Sequence, residues 1–243
     1  MTDVERIWKE DDWTKTARDI TRAIENFPKD SKIILVLRHS HRNEPTGSQK
    51  LFKLRLTPLG HDIAKKFGEE LPIDRPIRLF HSIVWRCQET AEDILEGFQK
   101  NSGTGEIKGH LNVLYDIGTS PKFFDGLFKE AEPFDPTRFL HLWAIGYFSP
   151  NEIMPFQEYA QKAAEVIWNS LNNAPKNSID IHISHDLFII ALRYGWFGLP
   201  PPIEWIPFLG GFAFTIQDDM LNIFDNNQYF EMKTPYWWNS IKK

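Results

Sequence analysis

Residues 33–42 read IILVLRHSHR. Ile33 to Leu37 is a short, uniformly apolar run rich in β-branched residues, the pattern of a strand buried on both faces, as in a parallel sheet. The run stops at Arg38, His39, Ser40, His41 and Arg42. In open α/β sheets ligands bind beyond the carboxyl ends of the strands, so polar residues crowded after a buried strand mark a candidate site.

On the N-terminal side of this stretch, Trp13, Ala17, Ile20, Ile24 and Phe27 recur at helical spacing until Pro28. On the other side, Thr57-Pro58 supplies an N-cap and a first-turn proline for a helix with Leu59, Ile63, Phe67 and Leu71 on one face. Ile77 to His81 reads as a second strand, followed by a helix from about Ser82 to Phe98, and Leu111 to Tyr115 as a third strand. Phe156 to Leu171 is amphipathic, with Ala160, Ala163 and Ile167 inside. Asp180 to Ser184 is a further strand, and the helix after it turns Leu187, Ile190, Ala191 and Tyr194 inward. Gly211 to Gln217 and Leu221 to Phe224 read as a closing antiparallel pair. Strands alternating with helices predict an α/β fold: a three-layer αβα sandwich with a mostly parallel central sheet. One domain over residues 1–243 is expected. Residues 116–155, rich in Pro, Phe, Trp and Gly, break the alternation and read as an inserted cap segment.

Apolar residues make up 42% of the 243 and charged residues 25%, which excludes a wholly disordered chain. A net charge of −5 argues against nucleic acid as a partner, since phosphate-backbone binding rests on a basic footprint. Cys87 is the single cysteine, so no internal disulfide forms. The start, MTDVERIWKEDDWTK, lacks the apolar run of a signal peptide, and the longest such run, Leu187 to Leu192, is far too short to span a bilayer. A cytoplasmic protein with no membrane partner is expected.

Three segments follow predicted parallel strands: Arg38 to Arg42, Ser82 to Arg86, and His185-Asp186. They emerge on one sheet edge. Any one could be a surface ion pair or, for His185-Asp186, a helix cap. Together they offer three arginines, imidazoles and a carboxylate. The arginine fork suits phosphate oxygens, and Arg86 stands near a helix start, where free N–H groups also favour an anion. A phosphate-sized anion pocket follows.

These segments resemble the histidine phosphatase superfamily, the fold shared by phosphoglycerate mutases and histidine acid phosphatases. LRHSHRNEP is similar to the strand followed by RHG, or by RHGxRxP in the acid phosphatase branch. LTPLGHDIAKKFGEEL resembles the LTxxGxxQA-type helix, FHSIVWRCQETAEDI the SxxxRxxQTA segment, and ISHD the late GH(G/D) segment. All four stand in family order from Leu35 to Asp186. Ser40 and Ser184 replace the usual glycines.

The resemblance implies a metal-independent phosphatase that hydrolyses a small phosphomonoester through a phosphohistidine on His39, with no cofactor. Arg38, Arg42, Arg86 and His185 would hold the phosphoryl oxygens. Nearby arginines would keep the His39 nitrogen unprotonated, and a backbone carbonyl accepting from its other nitrogen would fix the tautomer. Arg42, Pro45 and Asp186 favour the acid phosphatase branch, in which the acid of the HD pair is the proton donor; Asp116 is the reserve, as the acid nearest the mutase-branch position.

His41 reads as a rim or packing residue, His81 and His182 as packed within strands, and His61, His110 and His141 as surface. A cysteine phosphatase loop on Cys87 would need an arginine where Asp93 stands, so Cys87 reads as a small buried residue. Tyr236, Trp237 and Trp238 are expected to dock on the core. Phe123, Phe124, Phe128, Trp143, Tyr147 and Phe148 either line the substrate entrance, hinting at a ring-bearing leaving group, or form a core of the cap. Three alternatives stand beside the phosphatase: a mutase, a non-catalytic phosphate-binding module, and a metal-dependent amidohydrolase using His39, His41, His81, His182 or His185, and Asp186.

Overall fold

The computed structural model describes residues 3–44, 53–120, 123, 135–202 and 205–241. β1 (Ile33–Arg38) is buried along its whole length at the centre of a seven-stranded sheet. Its neighbours are β4 (Ile179–Ser184), parallel, and β5 (Gly211–Gln217), antiparallel. With β2 (Ile77–His81), β3 (Gly105–His110), β6 (Met220–Asp225) and β7 (Gln228–Lys233), the order is β3-β2-β4-β1-β5-β6-β7. The four strands from β3 to β1 are parallel, and β5 to β7 extend the sheet antiparallel. The sheet is therefore mixed, with one antiparallel strand more than the sequence suggests. Asn226 and Asn227 both take left-handed backbone, at φ 46° and 59°, and turn β6 into β7. Asparagine tolerates that region, and such a turn matches the twist of a hairpin.

The expected third strand is misplaced. β3 is Gly105–His110, and Asn112–Leu114 in the expected stretch form a 3-10 turn that buries Val113 and Leu114. β3 is an edge strand with alternate residues exposed, so it carries little of the apolar signal by which buried strands are read.

Successive β1 side chains enter opposite cores, as the pleat requires. Ile33, Leu35 and Leu37 pack with α1 (Asp3–Glu10), α2 (Asp12–Ile24), α3 (Pro58–Glu69) and α4 (Trp85–Lys100). Ile34 and Val36 pack with α5 (Pro136–Ala144), α6 (Phe156–Ser170), α7 (Asp186–Phe197) and α8 (Tyr236–Ile241). Helices on both faces complete a three-layer αβα sandwich. Trp237 and Trp238 dock on Trp168 as expected, whereas Tyr236, expected to dock with them, is exposed. Phe139, Leu140 and Trp143 of α5 join the same core, with Trp143 edge-on to Phe156 at 4.9 Å. Phe123 and Phe148 pack on each other at 5.0 Å, Tyr147 is exposed, and Phe124, Phe128 and Pro45 lie outside the described residues. Among the described residues, no helix is long and apolar enough to cross a membrane.

Two ionisable side chains sit in the middle of β4. Asp180 is fully buried and takes both arms of Arg78, which also donates to the carbonyls of Ser170 and Asn173. His182 lies flat on Phe80 at 4.7 Å, and burial pushes its imidazole down to about 4. The unfolded chain takes up that proton near pH 6.5, the folded chain only near pH 4. Stability is therefore present above pH 6.5 and lost as pH falls toward 4. His182 alone accounts for up to about 3 kcal/mol of that loss. His182→Leu should flatten the fall in urea-unfolding free energy between pH 7 and 4.5; an unchanged slope would remove His182 as its source.

Candidate active site

The register of the parallel strands assembles the site. Arg38 pairs with Ser184, and His81 with Ile183, so β1, β2 and β4 end level. The His39 amide then donates to the Ser184 carbonyl at 3.0 Å, and the Ser82 amide to the Ile183 carbonyl at 2.9 Å. α4 and α7 start directly beyond, placing Arg86 and Asp186 in their first turns.

His39 Nδ1 lies 2.8 Å from the Ser40 carbonyl. A carbonyl only accepts, so Nδ1 carries the proton and Nε2 keeps its lone pair. Arg86 Nε donates to that lone pair at 2.9 Å. His39 is held well below the usual imidazole range by burial first, then by His185, Arg86 and Arg38. It is therefore a neutral nitrogen base of fixed tautomer at neutral pH.

His185 lies beside it, ring centroids 5.4 Å apart, and is also driven well down, by burial and then by Arg86, Arg38 and Arg42. A second Arg86 nitrogen meets its Nδ1 at 3.0 Å, so its Nε2–H points to Ser82 Oγ, 3.1 Å away. Arg86 thus spans both imidazoles. Arg38 donates to the Ile206 carbonyl at 2.7 Å and pairs with Asp186 at 2.9 Å. Arg42 is buried and close enough to lower Arg38 and Arg86, each lowered mainly by burial. Among the described residues the buried Nε atoms of Arg38 and Arg42 meet no acceptor. Donors left in that state are costly, and an anion with several oxygens would satisfy them.

The structure brings together Arg38, His39, Arg42, Arg86, His185 and Asp186. Asp116 is exposed, and its carboxylate accepts from the Gly118 amide at 2.7 Å. His41 turns away to Thr57 and packs on Trp13 and Phe208. His182 is inside the sheet and stacked on Phe80, so of the amidohydrolase layout His39, His185 and Asp186 share the pocket while His41 and His182 do not. Cys87 is buried, which pushes its thiol up to about 12, so it is no nucleophile.

The two serines that stand for glycine are absorbed locally. Ser40 Oγ donates to the Gly60 carbonyl at 2.7 Å, and Ser184 Oγ to the Leu114 carbonyl at 2.6 Å. Gly60 is required where it stands: a β-carbon there would lie 2.1 Å from the His41 carbonyl oxygen. The sequence reading missed Thr90, whose hydroxyl donates to the Arg86 carbonyl at 2.7 Å and accepts from the Ser40 amide at 3.0 Å. It stands within the quoted QETA segment, where its spacing from Arg86 places it one helical turn on. Phe208 and Tyr115 were also missed; both lie in irregular segments with no periodicity to mark them.

The structure can be compared with solved ones. YhfR of Bacillus stearothermophilus superposes with a TM-score of 0.55 at 16% identity, over 82% of this chain and 98% of that one. A phosphoserine phosphatase of Entamoeba histolytica gives 0.52 at 15%, over 81% and 98%. A mycobacterial glucosyl-3-phosphoglycerate phosphatase gives 0.51 at 14%, over 84% and 99%. The chain has the phosphoglycerate mutase-like fold. No protein-family model matches it, and no curated protein matches it in sequence.

The pocket should bind inorganic phosphate. Arg86→Ala should weaken that binding at least tenfold in calorimetric titration, with the far-UV spectrum unchanged, since a hydrogen bond to a charged group is worth about 1.5–3 kcal/mol. Equal affinity in wild type and variant would show that the anion does not use Arg86.

Proposed function

We propose that the protein is a metal-independent phosphatase that hydrolyses a small phosphomonoester through a phosphohistidine on His39. The observation that carries this reading is the neutral, tautomer-fixed His39 held by Arg86 among buried guanidiniums, with Asp186 one ion pair away. A lone imidazole nitrogen is a nucleophile, and surrounding arginines neutralise the phosphoryl charge that builds in the transition state.

His39 Nε2 attacks phosphorus in line, the bond from phosphorus to the leaving oxygen breaks, and Asp186 gives that oxygen its proton. Water then attacks the phosphohistidine, Asp186 takes a proton from it, and phosphate leaves with Nε2 restored. Arg38, Arg42 and Arg86 hold the non-bridging oxygens. The same arginines lower His185, and the bound phosphoryl group opposes that lowering, so the anion favours a donor role for His185. Asp186 is preferred to Asp116 because it already touches Arg38, so a phosphoryl group that takes over Arg38 releases the acid beside itself. Residues 116–155 would cap the entrance, and the single buried cysteine fits a cytoplasmic setting. The mutase reading shares every step but the acceptor. A metal ion fits poorly, because Arg86 places a cation between the two imidazoles that would have to ligate it.

The test is p-nitrophenyl phosphate turnover with EDTA present, across pH 4 to 8. Wild type should release nitrophenol and His39→Ala should not; the same rate in both would refute the proposal. Asp186→Asn should slow an alkyl phosphate at least tenfold more than p-nitrophenyl phosphate, whose leaving group needs no proton. Equal losses on both substrates would move the proton donor elsewhere.

A further inference from the structure

One aromatic ring beside the anion pocket is held there by backbone hydrogen bonds to β1. The connection from α7 to β5 carries Phe208, and β1 clips it down: the Arg38 amide donates to the Gly210 carbonyl at 2.8 Å, the Leu209 amide to the Arg38 carbonyl at 3.2 Å, and Arg38 to Ile206. Leu209, fully buried, is held at φ 56°. A leucine adopts that left-handed backbone only where its surroundings impose it. The result is a half-buried Phe208 ring 4.3 Å over the Arg38 guanidinium and 5.7 Å from His39. Behind it stand His41 at 5.1 Å and Trp13 of α2 at 6.2 Å.

The other end of the histidine pair is flanked in the same way. Tyr115 is 5.8 Å and Phe188 5.9 Å from the His185 ring, and these two stack on each other at 12°. Both are half-buried. The contacts therefore run Phe208, His39, His185, then Tyr115 with Phe188. Partly open aromatic rings lie at both ends of the pair that would face phosphorus.

We infer that Phe208 and the Tyr115–Phe188 stack form an aromatic wall that selects a phosphomonoester carrying an aromatic ring close to its ester oxygen. This rests on the phosphatase reading above and names the substrate class of that same site. A ring one or two bonds from the ester oxygen is within reach of rings this close to the attacking nitrogen, where offset or edge-on stacking is favourable. Phe208 and Tyr115 are specificity residues here, and Trp13 is a positioning residue acting through Phe208.

The experiment compares benzyl, cyclohexylmethyl and ethyl phosphate. All three leave as primary alcohols, so the chemical step is alike and the ring is the variable. Wild type should show kcat/KM for benzyl phosphate roughly tenfold above ethyl and above cyclohexylmethyl phosphate. Phe208→Ala should narrow the benzyl-to-ethyl ratio about fivefold, chiefly by raising KM for the benzyl ester. Phe208→Leu, which keeps most of the volume, should narrow it too, and Trp13→Ala should narrow it less. Equal turnover of benzyl and cyclohexylmethyl phosphate by wild type would overturn the inference. So would a Phe208 or Tyr115 variant in which all three rates fall together. In both cases the phosphatase reading would stand. If folded wild type turned over none of the three, the phosphatase reading itself would fall, and the substrate class with it.

Discussion

The hydrogen bond between His39 Nδ1–H and the Ser40 carbonyl governs the site. It fixes which nitrogen holds the proton, and so which nitrogen faces Arg86. Much of the neighbouring structure serves to keep that carbonyl in place. The Ser40 amide is tied to Thr90 on α4, one turn beyond Arg86, so the loop that bears the imidazole and the helix that bears the guanidinium share a hydroxyl. The Ser40 side chain reaches Gly60 on α3, whose missing β-carbon lets that helix start against the His41 carbonyl. Two helices on one face of the sheet thereby hold one residue, Ser40, by its amide and by its hydroxyl.

The pocket gathers positive charge at a cost. Arg38, Arg42 and Arg86 are all buried, and Arg38 and Arg86 are lowered by desolvation before any other influence. Among the described residues Asp186 is the acid paired with Arg38, Glu44 pairs with Arg42 at 3.4 Å, and Arg86 spends donors on two imidazoles that burial keeps neutral. Such an arrangement is least favourable when empty and gains most from a dianion, because the anion supplies the counter-charge and the missing acceptors together. The same field that keeps His39 unprotonated therefore draws the group it would attack.

The fold was legible wherever burial leaves a pattern. Ile33 to Leu37 and Asp180 to Ser184 are uniformly buried, and the strands lie where the apolar runs put them. β3 was misread because an edge strand with one strongly apolar residue, Ile107, looks weaker than the turn Asn112–Leu114 beside it. The polar cluster was legible because parallel strands deliver their following residues to one edge, and Arg38, His39, Ser82, Arg86, His185 and Asp186 all follow such strands. Phe208 was not, since its place is set by long-range hydrogen bonds to β1 that no local spacing encodes. His41, two residues beyond His39, would share its face on a regular strand; the chain has left β1 by then, His41 turns to Thr57, and it packs against Phe208.

The position of Arg38 couples binding to acid chemistry. Its side chain meets the Ile206 carbonyl, the Asp186 carboxylate and the face of Phe208 at once. A phosphoryl oxygen can gain this guanidinium only by competing with Asp186, so binding weakens the contact between Arg38 and the acid. The same loop that supplies the Ile206 carbonyl carries Phe208, so a leaving group resting on that ring presses on the segment that orients Arg38. Anion recognition, release of the acid and contact with the leaving group therefore pass through one buried side chain at the end of β1. A change on the 205–210 connection should be felt in the proton-transfer step as well as in substrate choice.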